Sequence, residues 1–379
     1  MKNKICIFPN DPIISYYNKG EIKERYFNPL NIFDEVDIIS FIDKDIDEQK
    51  VQILVGNAKL KIHSVGKINL FNKSKMKKKI ISIVKNINPD IIRAYNPLLE
   101  GWIAANCSDI LDIPFFVSVH IEYDGLRKIA KKTNYKKFLA LKWYRKKIEP
   151  YVFNKADKIT AVYKIIEPYV LDVCGKKPEI LYNRIDLERF EKGVKQKDYD
   201  KPLILTVGRL TPQKNPDLII NAIKDLDVYL MLIGDGELYD SLKNQITELN
   251  IQNKIIFKKS VPNNEIQNYY KTADIFILCY EPDVEGVPIP VLEAMASGLP
   301  IIITNPISGL SDGLEESVSF TELNYESIKN KIVELIENDD YRKELSKKAQ
   351  EKSLQFDGNV TEKREFDIYK QLLGSKKLP

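Results

Sequence analysis

Cysteine is scarce in this chain and histidine scarcer still. Cys6, Cys107, Cys174 and Cys279 lie far apart, none belongs to a Cys-x-x-Cys pair, and three of them sit in or beside apolar runs. This favours buried free thiols over a disulfide framework or a metal site. No cluster of carboxylates forms a metal-binding motif. No apolar run approaches the length of a membrane-spanning helix, and the N-terminus Met-Lys-Asn-Lys-Ile-Cys-Ile-Phe-Pro-Asn lacks a signal-peptide apolar region. Both absences point to the cytoplasm. The turn Gly234-Asp-Gly236 lacks the third glycine of a dinucleotide fingerprint, because Tyr239 stands in its place. A nicotinamide site is therefore excluded. There is no internal repeat or low-complexity segment, and no nucleic-acid reading module.

What remains is a soluble globular composition of 44% hydrophobic and 30% charged residues in 379. That length predicts about two domains. The net charge of +4 conceals an asymmetry: residues 1–200 hold 37 Lys and Arg against 26 Asp and Glu, the remainder 21 against 28. A basic first half and an acidic second half imply different partners for the two domains.

In the first half, Lys4–Phe8, Phe33–Phe41, Pro89–Arg93, Pro114–His120, Asp157–Val162 and Pro178–Tyr182 read as strands. Helical periodicity covers 75–88 and about 100–111, and the alternation of 51–65 around Gly56-Asn57 predicts a hairpin. His63 within it reads as a satisfied strand residue. His120, at the carboxyl end of a strand, faces the side where α/β sheets bind ligands. The alternative is a histidine that caps the strand. From Arg127 to Lys147 ten basic residues and no acidic one interleave with Tyr135, Phe138, Leu139, Leu141, Trp143 and Tyr144. Such a segment fits an anionic membrane surface, or else a solvated helix face.

The second half repeats strand, turn and helix. Pro202–Val207 leads through Gly208 into a helix begun by Asn215 and Pro216. Arg209 and Lys214 project from that turn at a strand's carboxyl end, where two cations suit a diphosphate. The alternative is a pair of surface charges. Later, Asp274–Tyr280 and Leu299–Thr304 are apolar strands flanking a loop and one short helix, Pro290 to Ser297, stopped by Gly298 and Pro300. That helix is apolar or small except at Glu293, placed in its first turns where free backbone N–H groups favour anions. Glu285 opens the loop. Two carboxylates on one such unit can accept hydrogen bonds from vicinal hydroxyls of a ribose and a hexose; the alternative is a solvated loop residue and a helix-start charge.

Glu285 to Glu293 resembles the Glu-x7-Glu motif of the retaining glycosyltransferases of family 4, and Gly208-Arg-Leu with Lys214 resembles that family's Gly-Arg-Leu…Lys motif. The resemblance implies the GT-B fold, two Rossmann-like doubly wound parallel-sheet domains facing a cleft. It implies no resident cofactor, a nucleoside diphosphate sugar of UDP or GDP type as donor, and retaining, metal-independent transfer to a glycan or lipid-linked acceptor. Residue by residue, it gives Arg209 and Lys214 the diphosphate, Glu293 the ribose, and Glu285 with His120 the sugar. It assigns donor contacts to Gly234, Val261, Gly286 and Val287, those of Val261 through the backbone. Departures stand at Arg184, where the family has Gly, at Pro288, which removes a backbone donor from the sugar loop, and at Ser308, Gly309 and Asp312, where relatives often carry Gly-Gly and Glu. The loop after the first strand holds only Gly20 where relatives have a glycine pair.

The domains expected are residues 1–190 for the acceptor, a linker at 191–201, residues 202–355 for the donor, and a final helix in 356–379 packing back on the first. A sugar nucleotide epimerase on the same fold and a catalytically silent donor-binding subunit are the alternatives. The expected location is cytoplasmic and peripheral to the inner face of the membrane.

Overall fold

The computed structural model describes residues 2–282, 284–307 and 309–375. The chain divides into two compact units, one formed by residues up to Tyr182 and from Thr361 onward, the other by Asn183–Val360.

The first unit is built on seven parallel strands: β1 (Lys4–Phe8), β2 (Glu35–Ser40), β3 (Lys59–Ser64), β4 (Ile91–Ala94), β5 (Phe115–Val119), β6 (Lys158–Ala161) and β7 (Glu179–Ile180). Their order in the sheet is β3-β2-β1-β4-β5-β6-β7. β4 and β5 are buried along their whole length, as a parallel sheet covered on both faces requires. Helix α1 (Lys73–Ile87) buries Met76, Ile80 and Val84, one residue per turn, and stops at Asn88 in the left-handed conformation. Two further helices, α2 (Tyr123–Thr133) and α3 (Tyr135–Lys147), lie between β5 and β6 in sequence. Asn134 divides them, its side chain accepting from the backbone N–H of Lys137 to cap α3.

The expected hairpin over 51–65 does not form. Glu48–Val55 is a 3-10 helix, and β3 runs parallel to β2 with Ile62 opposite Ile38. Alternation marks a half-buried strand but not the direction of its partner, and here the chain crosses over instead of folding back. His63 Nε2 lies 2.7 Å from Asp37 Oδ1. All four cysteines are free, three of them buried.

The C-terminal helix, Gly358–Ser375, contributes its residues from Thr361 to the first unit. Tyr369 meets Phe33 and Phe116 edge-on, with centroids 5.0 and 5.6 Å apart. Beneath it the buried Arg93 guanidinium pairs with Glu365, donates to Tyr369 Oη at 2.5 Å and to Ser118 Oγ at 3.0 Å.

The second unit carries six parallel strands: β8 (Leu203–Val207), β9 (Tyr229–Ile233), β10 (Ile255–Lys258), β11 (Ile275–Leu278), β12 (Ile301–Thr304) and β13 (Ser319–Thr321), in the order β10-β9-β8-β11-β12-β13. Three helices matter below: α4 (Pro216–Ile223), α5 (Ile266–Thr272) and α6 (Ile289–Ala296). Ile219, Ile220 and Ile223 of α4 join Ile204, Leu230 and Ile277 in the core. Residues 183–190 fold here and not with the first sheet, because Phe190 is buried edge-on to Tyr270 of α5 at 5.6 Å. In both sheets the strand order reverses beside the first strand. In the second unit that switch falls between β8 and β11, and ligands of such sheets bind beyond the carboxyl ends of strands at this point.

Candidate active site

The two loops that leave β8 and β11 meet at the switch point. Gly208 follows β8, and its N–H donates to Ile233 O at the end of β9. A Cβ built on Gly234 would lie 1.9 Å from Gly208 O, and one on Gly236 2.4 Å from Leu210 O. Only glycine lets these two strand-end turns pack backbone to backbone. Leu210 N–H continues the ladder to Asp235 O at 3.0 Å. Arg209 is held in this strap with its side chain exposed to solvent.

Lys214 is turned the other way. Its Nζ lies 2.5 Å from Glu285 Oε2 and 5.3 Å from the centre of the Tyr280 ring, a cation over an aromatic face. The β11 loop is tied to the β8 loop a second time by Glu281 N–H donating to Gln213 O at 2.9 Å. Buried Tyr280 closes the arrangement, its hydroxyl donating to Gly286 O at 2.6 Å while its N–H donates to Thr304 Oγ1 at 3.0 Å. Val287 is buried and Gly286 half-buried. Pro288, where a backbone donor was expected to be missing, takes the position that precedes α6 with φ −58° and ψ 149°.

Two sequence expectations about helix starts need correction. Asn215 precedes α4 in a left-handed conformation, and its side chain makes no cap hydrogen bond. Glu293 is the fifth residue of α6, beyond the free N–H groups of the first turn. Its carboxylate is served by a side chain. Tyr270 of α5 donates its hydroxyl to Glu293 Oε2 at 2.8 Å. Burial, then the adjacent carboxylate, hold the proton on that phenol well above its ordinary pKa, so Tyr270 is a donor at any physiological pH. The Phe190 and Phe276 rings, each 5.6 Å away, fix its ring.

Sequence reasoning missed both Tyr270 and Tyr280. A tyrosine at the end of an apolar strand or on a buried helix face could have flagged them, because a buried phenol needs a polar partner.

Val261 is half-buried in the loop after β10. Ser308 lies outside the described residues, whereas Gly309 and Asp312 both have positive φ, 78° and 57°.

His120 belongs to the first unit, one residue past β5. Its ring lies 5.6 Å from that of Tyr95, tilted by 32°, and among the described residues its buried Nε2 has no hydrogen-bond partner. Desolvation, then the nearby Arg93 charge, push its pKa from 6.5 to about 3. The imidazole is therefore neutral at physiological pH. In α2 and α3, not all of the basic residues point to solvent. Arg127 is buried, donating to Leu141 O at 3.0 Å and pairing with Asp124 and Glu149, and Arg145 pairs with Asp172.

Comparison with known proteins adds the family. A family model described as Glycosyltransferase Family 4 matches residues 34–189, and one described as Glycosyl transferases group 1 matches residues 188–352. An uncharacterised glycosyltransferase of Methanocaldococcus jannaschii is 27% identical over 281 residues, 73% of either chain. A UDP-Gal:α-D-GlcNAc-diphosphoundecaprenol α-1,3-galactosyltransferase of Escherichia coli is 33% identical over 153 residues, 36% of this chain and 38% of that protein. The crystal structure of Anabaena HepE in complex with UDP superposes with a TM-score of 0.74 at 15% identity, covering 97% of this chain and all of the other. That likeness shows the GT-B fold. With the two family models meeting at the same point of the sequence and together spanning most of it, the chain belongs to the group 1 glycosyltransferases of the family 4 type.

Proposed function

We propose that this protein transfers a sugar, with retention of anomeric configuration and without a metal ion, from a UDP or GDP sugar to a glycan or lipid-linked acceptor in cell-surface polysaccharide or glycolipid synthesis. The observation that carries the reading is the Lys214 and Glu285 pair at the β8–β11 switch point, with Glu293 held by Tyr270 on the helix that follows. Arg209 and Lys214 supply the cations for a diphosphate, and charge growing on the departing nucleotide would be met by them. Glu293 takes the ribose hydroxyls. Glu285, with Gly286 and Val287 beside it, takes the sugar, and neutral His120 is the further residue proposed for the sugar on the family resemblance. Gly234 and Val261 contribute backbone to the donor.

The Escherichia coli relative is named for a diphosphoundecaprenol-linked acceptor, which supports a lipid-linked acceptor here. The segment from Arg127 to Lys147 would then bring the first unit to an anionic membrane, with the enzyme peripheral on the cytoplasmic face.

The test is incubation with UDP and GDP sugars, a diphosphate-lipid-linked sugar acceptor and EDTA, with the product anomer assigned by NMR. A retained, EDTA-insensitive transfer supports the proposal. An altered nucleotide sugar formed without acceptor would establish an epimerase instead, and donor binding without turnover a silent subunit.

A further inference from the structure

The first unit carries two stretches without a single acidic residue, 49–89 and 125–148. Together they hold 20 of the 37 Lys and Arg found in residues 1–200 and none of the 26 Asp and Glu. The fold brings them together: Lys73, at the start of α1, sets its Nζ 5.0 Å from the centre of the Trp143 ring on α3. Two residues before Lys73 stands Phe71, whose side chain is 100% exposed.

An aromatic ring open to solvent on every side is an unmet hydrophobic surface. It has company on α3. At 100° per residue, Tyr135, Leu139 and Trp143 fall on one arc of the helix, with Lys136, Lys142, Lys146 and Lys147 on or beside it. Tyr135 is 61% exposed, Leu139 48% and Trp143 36%, whereas Leu141 on the opposite side is buried. Alternating lysines and aromatics on an outward arc are unsuited to a dry protein interface, where lysine is depleted. They suit the headgroup boundary of an anionic bilayer, where the rings enter the acyl edge and the ammonium groups remain among the phosphates. Among the described residues no helix is long and apolar enough to cross a membrane, so contact of this kind would be interfacial.

We infer that Phe71 and the outward arc of α3 form one membrane-docking face for anionic lipid, with Phe71 and Trp143 inserting. This deepens the proposed membrane-side function by adding the loop before α1 to the basic segment. It is tested without donor or acceptor, so its failure would leave the transferase reading standing, and the reverse.

The probe is the full chain with vesicles of phosphatidylcholine alone or mixed with phosphatidylglycerol. Co-sedimentation is combined with Trp143 fluorescence in a Trp102→Phe background. The expected results are binding that requires phosphatidylglycerol and falls with salt, a blue shift and quenching of Trp143 by brominated lipid, and at least ~10-fold weaker partition for Phe71→Ser. The Phe71 side chain is fully exposed, so this variant leaves the fold intact.

Absence of binding would overturn the inference. So would binding that Phe71→Ser leaves unchanged, which would reduce the face to charge alone. A loss of self-association in Phe71→Ser by sedimentation velocity, with no lipid effect, would show that the face joins two copies of the chain.

Discussion

The Lys214 ammonium is paired with the Glu285 carboxylate at 2.5 Å, above the face of Tyr280. The residues that the proposal gives to diphosphate and to sugar thus form one electrostatic unit before any donor arrives. On the proposed reading, a donor diphosphate would compete with Glu285 for the same cation. Lys214→Ala is expected to lower kcat/KM by at least ~10²-fold, because the departing diphosphate would have one charge-assisted hydrogen bond fewer in the transition state. Lys214→Arg restores only part of it, because the planar guanidinium fork replaces a compact ammonium over the Tyr280 ring. Steady-state kinetics with the donor found by the binding screen checks both.

On the proposed reading, Tyr270 acts through Glu293. Tyr270→Phe keeps the ring between Phe190 and Phe276 and removes only the hydroxyl that reaches Oε2. A hydrogen bond to a charged group contributes about 1.5–3 kcal/mol, so the donor KM is expected to rise ~10-fold with kcat nearly unchanged. The substitution should be silent for a 2′,3′-dideoxy nucleotide, and silent again in a Glu293→Ala background. Equal losses for ribo and dideoxy ligands would assign Tyr270 to packing alone.

His120 gives a pH prediction with a definite sign. Its pKa is depressed from 6.5 to about 3 in the fold. Between these values the unfolded chain binds a proton that the native state refuses, so the His120 contribution to stability is complete above 6.5 and declines as pH falls towards 3. Urea midpoints measured at about pH 7 and about pH 5 should therefore fall less for His120→Gln than for the wild type. The pH–rate profile should show no His120 limb near 6.5.

How much of the fold and site was legible in the sequence depended on whether the determining interaction was local. Arg209 stands just past β8, and Lys214 and Glu285 lie in the loops that leave β8 and β11, so their placement beyond strand ends could be read from the strands. The bounds of α6 were readable to within one residue from Pro290, whose ring fixes φ, and from Gly298, which takes the positive φ of 72° that ends the helix. The partner of Glu293 was not, because Tyr270 lies 23 residues earlier and reads as an apolar helix position. The direction of β3 was hidden for a related reason: an alternating pattern reports which face is buried and is the same for parallel and antiparallel pairing. The interior pairing of Arg127 with Glu149 likewise depends on tertiary structure, and a run of basic residues conceals it.

Arg93 supplies a stability prediction independent of the reaction. It is buried, pairs with Glu365 and donates to Tyr369 and Ser118. Arg93→Leu would leave the Glu365 charge buried without that guanidinium, a loss of about 3–5 kcal/mol. Arg93→Leu with Glu365→Leu should recover much of it, which a double-mutant cycle in urea can read.

Calorimetric titration of UDP, GDP and ADP sugars into the purified protein, beside Glu293→Ala, decides whether the chain binds a nucleotide sugar through Glu293. Selective binding of one nucleotide class that Glu293→Ala abolishes is the predicted result. A folded protein that binds no member of the panel, or binds one equally well without Glu293, would contradict it.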